Sequence, residues 1–91
     1  MKDWINLMSL YQLQKLLYHV NRDAERRERY RENPAEFVKR YELSETEAQA
    51  VLNVDARALY ALGVHSLLLR PFTLLNKVSN EDYGKALKGL E

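Results

Sequence analysis

The hydrophobic positions near the N-terminus recur at intervals of three and four residues, which is the spacing of one helix face. The apolar residues of this series are Leu10, Leu13, Leu16, Leu17 and Val20. The start of the helix is open, because Ser9 can cap a helix that begins at Leu10 or the helix can begin earlier, near Asp3. We therefore predict a first helix that packs its leucine face inward.

Capping residues mark two helix starts in the middle of the chain. Asn33 followed by Pro34 predicts one of them, since the asparagine side chain can accept a backbone N–H and proline suits the first helical position. Ser44 and Glu47 match a capping box, in which each side chain bonds the other residue's backbone N–H. This box places another helix start at Glu45.

The last third of the chain carries the same kind of signal. Asp55 predicts a helix that Gly63 closes in the left-handed conformation. Ser66 is expected to cap the next helix, which is either kinked by Pro71 or begins its regular part there. Ser79 is expected to cap a last helix. Because no segment alternates between apolar and polar residues, the chain is predicted to be all-α, a compact orthogonal bundle of five to seven short helices.

Residues 22–32 are rich in charge of both signs, with five arginines and four acidic residues. Asp23 and Arg27, like Glu25 and Arg29, are four positions apart and attract each other on a helix. We interpret this segment as a solvent-exposed helix face. The alternative is an arginine-rich nucleic-acid motif, which the near-cancellation of charge disfavours.

Composition narrows the class of protein. The 91 residues, 46% of them hydrophobic, are enough for a single domain with one core, over residues 1–91. A net charge of +1 gives no long-range field for a polyanion, so we expect no nucleic-acid partner. The longest apolar stretch, residues 64–75, is too short to span a membrane. No signal peptide is recognisable and there is no cysteine, so we expect a cytoplasmic protein.

Few residues could carry chemistry. His19 with Asp23 four positions later is a weak metal signal, because a metal site usually needs three protein ligands, and a histidine near a helix end is the favoured interpretation. His65 follows the turn at Gly63 and either bonds a helix end or contacts a partner or ligand. We predict no catalytic residue and no metal ligand in this chain.

Residues 64–75 hold more large apolar side chains than one buried stripe of so small a domain needs. Residues 56–80 contain three cations and no acid, whereas residues 34–55 contain five acids and two cations. An apolar patch edged with positive charge is typical of a protein interface. The alternative is that these leucines fill the centre of the bundle.

The order of these features resembles a known family. The features are the helix that ends in Asn21-Arg22-Asp23, then Glu28-Arg29-Tyr30, Asn33-Pro34-Ala35-Glu36-Phe37, Tyr41-Glu42-Leu43-Ser44-Glu45-Thr46-Glu47, and Asp55-Ala56-Arg57-Ala58-Leu59-Tyr60-Ala61-Leu62-Gly63-Val64-His65. Over residues 10–75 the chain resembles the small, alpha subunit of the protocatechuate 4,5-dioxygenase family, which is a family of extradiol aromatic-ring-opening dioxygenases.

The resemblance implies a single LigA-like helical domain that is the non-catalytic small subunit, or domain, of such an oxidoreductase. It would pack over a large catalytic subunit, and the Fe(II) would belong to that large subunit. The residues expected to contact the partner or line its pocket are Tyr60, His65, Leu68, Arg70 and Phe72. Arg70 could also favour an anionic substrate or pair with an acid across the interface.

A second function stays open at this point. The same apolar face could form a homo-oligomer, in which case the chain is a free-standing helical adaptor or a small-molecule-binding homodimer with no dioxygenase activity. Both hypotheses use the same surface, and they differ in what covers it.

Overall fold

Seven helices account for most of the chain. A computed structural model describes residues 2–90, and the side chains of residues 10–90. Its helices are α1 (Lys2–Arg22), α2 (Ala24–Glu32), α3 (Pro34–Lys39), α4 (Glu45–Leu52), α5 (Ala56–Ala61), α6 (Ser66–Leu75) and α7 (Asn80–Leu87). No strand occurs in residues 2–90, so the predicted all-α class and the upper end of the predicted helix number are confirmed.

Helix α1 is the element around which the others pack. It lies against α2 and α6. Of its five predicted inward residues, four are 0% exposed and Leu10 is partly buried against the core; the four are Leu13, Leu16, Leu17 and Val20. Of the two predicted starts the earlier one is correct, because α1 already begins at Lys2. Along the rest of the chain α3 contacts α2 and α4, α5 contacts α4 and α6, and α7 packs on α5.

The predicted caps are confirmed by hydrogen bonds. Asn33 Oδ1 accepts the Glu36 N–H at 3.2 Å. In the capping box Ser44 Oγ accepts the Glu47 N–H at 3.2 Å, and Glu47 Oε1 accepts the Ser44 N–H at 2.8 Å. The side chains of Asp55 and Ser79 accept backbone N–H groups at the starts of α5 and α7. These short-range bonds fix four of the helix starts.

The start of α6 differs from the prediction. Ser66 is the first helical residue and His65 is the cap, since His65 Nδ1 accepts the Leu67 N–H at 3.1 Å. The helix runs through Pro71, so its regular part does not begin there. Pro71 has no N–H, and it therefore removes the helical hydrogen bond that the Leu67 carbonyl would otherwise accept from four residues on.

The charged residues of α2 form ion pairs, with one exception to the prediction. Glu25 and Arg29 are joined at 2.7 Å, as expected. Asp23 caps α2 and pairs with Arg26 at 3.2 Å instead of with Arg27. Arg27 instead donates to the backbone carbonyls of residues 20 and 21, at 2.9 and 2.7 Å. These carbonyls lie in the last turn of α1, where helical donors are missing, so the Arg27 guanidinium satisfies them.

An aromatic contact holds α2 and α3 to the core. Tyr30 is only 4% exposed, and its ring centroid lies 5.9 Å from that of Phe37 and 5.7 Å from that of Phe72. Its hydroxyl donates to Asn76 Oδ1 at 3.0 Å. Tyr30 therefore anchors the highly charged helix to the core.

Two glycines give a matched test of this fold. Gly63 has a φ of +106°, and a Cβ there would lie 3.2 Å from Leu10 Cδ2, whereas Gly84 lies within α7 and a Cβ there would meet nothing within 4 Å. We expect Gly63→Ala to lower the free energy of unfolding by about 1–3 kcal/mol, because alanine is strained at that φ. Gly84→Ala should raise it by about 0.5–1 kcal/mol, because glycine weakens a helix interior. Urea denaturation measures both, and equal effects of the same sign would contradict the backbone account.

Candidate functional site

The rotation of α6 about its own axis decides which of its side chains reach the surface. Leu69, Phe72 and Thr73 are all 0% exposed and face the core. Leu67 is 79% exposed and Leu74 is 55% exposed, and Pro71 between them is exposed as well. These three side chains are four and three positions apart, so they form one stripe, which we call the α6 apolar face.

His65 lies at the N-terminal end of this face. Its imidazole caps α6, and its backbone N–H donates to Gln14 Oε1 of α1 at 3.0 Å. Of the two roles open in the sequence, the structure therefore shows the bond to a helix end. The residue as a whole is exposed, so the imidazole is held in a fixed position beside Leu67.

Arg70 joins α6 to α7. Its guanidinium donates to the Thr73 hydroxyl at 3.1 Å, to the Val78 carbonyl at 3.4 Å and to Asn80 Oδ1, and it lies 4.5 Å from the centre of the Tyr83 ring. A guanidinium has five N–H donors, and several of them are used within the chain. Arg70 thus fixes α7 beside α6 and places one positive charge at the edge of the apolar face.

The other three predicted contact residues lie deeper. Phe72 is fully buried against Tyr30, so its side chain supports α6 from below and does not reach the surface. Leu68 and Tyr60 are partly buried against the core. The structure thus brings the five predicted residues to α6 and its neighbour α5, but only part of this set is at the surface.

The two most exposed leucines, Leu67 and Leu74, are absent from the predicted set. A signal for them exists in the sequence: Arg70 is the only charged residue of α6, and it should mark the side of the helix that faces away from the core. Leu67 lies three residues before Arg70 and Leu74 four residues after it, so all three lie on one side. The buried Thr73 obscures this pattern, because a polar residue is not expected to face the core.

His19 lies in a positively charged environment. Its Nδ1 is hydrogen-bonded to the Tyr41 hydroxyl at 2.6 Å. Burial lowers the pKa of His19 below its ordinary value, Arg26 and Lys15 lower that pKa further, and Asp23 raises it in part. Nearby cations that disfavour an added proton also disfavour a metal cation. Within the part of the chain whose side chains are described, no three His, Cys, Asp or Glu residues come together at a metal site.

Residues 13–91 match the family described as the LigA subunit of the aromatic-ring-opening dioxygenase LigAB. The chain belongs to the LigA family. The match continues past residue 75, where the resemblance in the sequence ended, and includes the whole of α7. No curated protein and no solved structure is significantly similar to the chain.

The LigA family membership predicted from the order of capping and charged motifs is therefore confirmed. In the described residues no helix is long and apolar enough to cross a membrane. Among the described side chains of residues 10–90, Leu67 of the α6 apolar face is the most exposed large hydrophobic residue.

The environment of His19 predicts a pH dependence of stability. Because the pKa of His19 is lower in the folded chain than in the unfolded chain, the unfolded state binds more protons below about pH 6.5. The free energy of unfolding should therefore fall as the pH decreases from 6.5 toward the folded pKa of His19, and level off below it. NMR titration of the imidazole should give a midpoint below 6.5. In His19→Gln the decrease in stability between pH 7.5 and 5 should be smaller, and a midpoint at or above 6.5 would contradict this account.

Proposed function

We propose that this LigA-family chain is the non-catalytic small subunit of an extradiol aromatic-ring-opening dioxygenase and that it packs over an iron-bearing large subunit. The observation that carries the proposal is the family match, which extends over residues 13–91. It supports a domain that comprises residues 1–91 and works as one unit beside a separate catalytic chain. The exposed apolar side chains of α6 support a contact at that helix.

The α6 apolar face has the properties of a docking surface. Leu67 and Leu74 expose most of their side chains, and burying a leucine side chain fully is worth about 1.5–3 kcal/mol. Residues 56–80 contain no acid, so a partner with an acidic rim would be attracted to Arg70 and not repelled. Association has its own entropic cost, so this face would be the centre of a larger interface.

The predicted contact residues have different parts in this proposal. His65, which is exposed and fixed by its cap, extends the face at its N-terminal end, and Tyr60 and Leu68 contribute their exposed portions. Arg70 contributes charge at the edge while it holds α7 in place. Phe72 acts indirectly, because it sets the rotation of α6 from inside the core.

The Fe(II) of such an enzyme does not fit this chain. His19 is the histidine with a carboxylate four positions later, but Lys15 and Arg26 act on it electrostatically, and they would repel a divalent cation as they repel a proton. His65 uses Nδ1 as a helix cap. We therefore assign the iron to the large subunit, where it supplies the open coordination positions for the substrate and O₂.

Substitution of the exposed leucines tests the docking surface. In Leu67→Gln/Leu74→Gln we expect the affinity for the large subunit encoded in the same gene neighbourhood to fall at least tenfold, because apolar area leaves the centre of the interface. The fold should be unaffected, since both side chains are already in water. Co-purification and calorimetric titration of the two chains measure the effect.

Tyr11→Gln/Tyr18→Gln is the matched control. Both tyrosines are exposed and seven positions apart on α1, and both lie near cations, with Lys15 Nζ 6.0 Å from the Tyr11 ring and the Arg22 guanidinium 5.7 Å from the Tyr18 ring. This variant should bind the large subunit normally. Equal loss in the two variants, or no loss in either, would overturn the assignment of the interface to α6.

Activity and self-association decide between the two functions. When this chain is added, the large subunit should cleave the aromatic ring faster or keep its activity for longer. If neither the rate nor the lifetime of the activity changes, the small-subunit function is refuted. Sedimentation of the isolated chain tests the adaptor alternative. A stable homodimer that loses self-association in Leu67→Gln/Leu74→Gln would favour that alternative.

A further inference from the structure

A cavity between α1, α2 and the end of α3 is lined by several positively charged side chains. It has a volume of about 250 Å³, and four cationic side chains line it: Lys15 of α1, Arg26 and Arg29 of α2, and Arg40 at the end of α3. His19 and Tyr41 also line it. We call this the basic cavity.

The charges of the basic cavity are only partly balanced. Arg26 pairs with Asp23 and Arg29 pairs with Glu25, and the side chains in both pairs are 41–75% exposed. Exposed ion pairs of this kind are weak and are readily rearranged when a ligand binds. Within residues 10–90, Lys15 and Arg40 form no ion pair.

This concentration of charge is unusual for the chain. The whole sequence has a net charge of +1, yet two cations without a paired acid line a single cavity. Bringing like charges together costs free energy that an anion between them would recover. Burial lowers the pKa of His19, and the positive charges of Arg26 and Lys15 lower it further.

The structure assigns to the basic cavity the binding of a small dianionic oxyanion, either free phosphate or the phosphate group of a monoester. The two cations without a paired acid, Lys15 and Arg40, match the two negative charges of such an anion. One guanidinium group can bind two phosphate oxygens at once. The Tyr41 hydroxyl and the His19 imidazole add polar groups on the same wall.

The surroundings favour a compact ligand over an extended polyanion. The adjoining groove shares Arg29 and Arg40 with the basic cavity, but Glu32 and Glu36 also line it. These carboxylates would repel the next phosphates of a nucleic acid. The positive field is thus confined to the cavity.

NMR titration of the folded chain tests the assignment. Inorganic phosphate and phenyl phosphate are the probes, added at an ionic strength held constant with sodium chloride. Bound dianion should raise the pKa of His19, while the backbone resonances of α7, which does not line the cavity, should not differ between phosphate and chloride. Binding of both probes indicates a monoester site, and binding of phosphate alone indicates a site for the free ion.

Paired variants separate the cavity from general surface charge. Lys15→Gln and Arg40→Gln should each weaken phosphate binding about fivefold or more, since removal of one nearby charge changes the attraction by at least that factor. Lys39→Gln and Lys88→Gln remove the same charge from exposed positions outside the cavity and should leave the affinity unchanged.

Three results would overturn the assignment. They are an identical His19 titration in phosphate and in chloride, equal effects of the cavity and control variants, and binding of a single-stranded oligonucleotide tenfold tighter than phosphate with the same dependence on Lys15 and Arg40. The last result would show that the surface binds a polyanion. Circular dichroism of each variant distinguishes loss of the site from loss of the fold.

Discussion

The packing of α6 against α1 is the constraint on which the surface of this protein depends. Leu69, Phe72 and Thr73 are completely buried, and so are the core-facing residues of α1 from Leu13 to Val20. Because close-packed side chains cannot rotate independently, this contact fixes the orientation of α6 about its axis. Leu67 and Leu74 are consequently held in water. The apolar face is thus a direct product of how the core is filled.

Helix α1 has three separate roles along its length. Leu13, Leu16, Leu17 and Val20 form its core side. Gln14 and Asn21 bond α6, through the His65 N–H and the Leu68 carbonyl. Lys15 and His19 face the basic cavity. One helix therefore separates the α6 apolar face, which we propose as the protein interface, from the cavity that we propose binds a small anion, so the two proposals can be tested independently by substitution.

The parts of the fold that were predictable from the sequence are those fixed by bonds between near neighbours. Asn33, the Ser44–Glu47 box, Asp55 and Ser79 each bond a backbone group three residues away, so their residue types identify the helix starts. Family membership was predictable for the same reason, because it rests on the order of these local motifs.

Contacts between distant segments were not predictable in this way. Arg27 bonds carbonyls of α1 instead of its expected partner Asp23. His65, and not Ser66, caps α6, and the His65 N–H donates to Gln14, which is 51 positions away. The basic cavity joins side chains from three helices, and the overall charge of the sequence conceals it. The exposure of Leu67 and Leu74 depends on the burial of Thr73 on the opposite side of α6. Thr73 can be buried because its hydroxyl donates to the Arg70 carbonyl at 2.9 Å.

Pro71 has a consequence for what can cover the α6 apolar face. The Leu67 carbonyl lacks its regular helical donor there, so it depends on water or on a neighbouring group for a hydrogen bond. A purely hydrocarbon surface that expelled this water would leave the Leu67 carbonyl oxygen without a hydrogen bond, at a cost of about 1–3 kcal/mol. A chain that places an amide or hydroxyl proton at that point avoids the cost. Pro71 thereby adds a hydrogen-bonding requirement to an apolar face, and this requirement would favour a partner with a matching donor over a surface that is only hydrophobic.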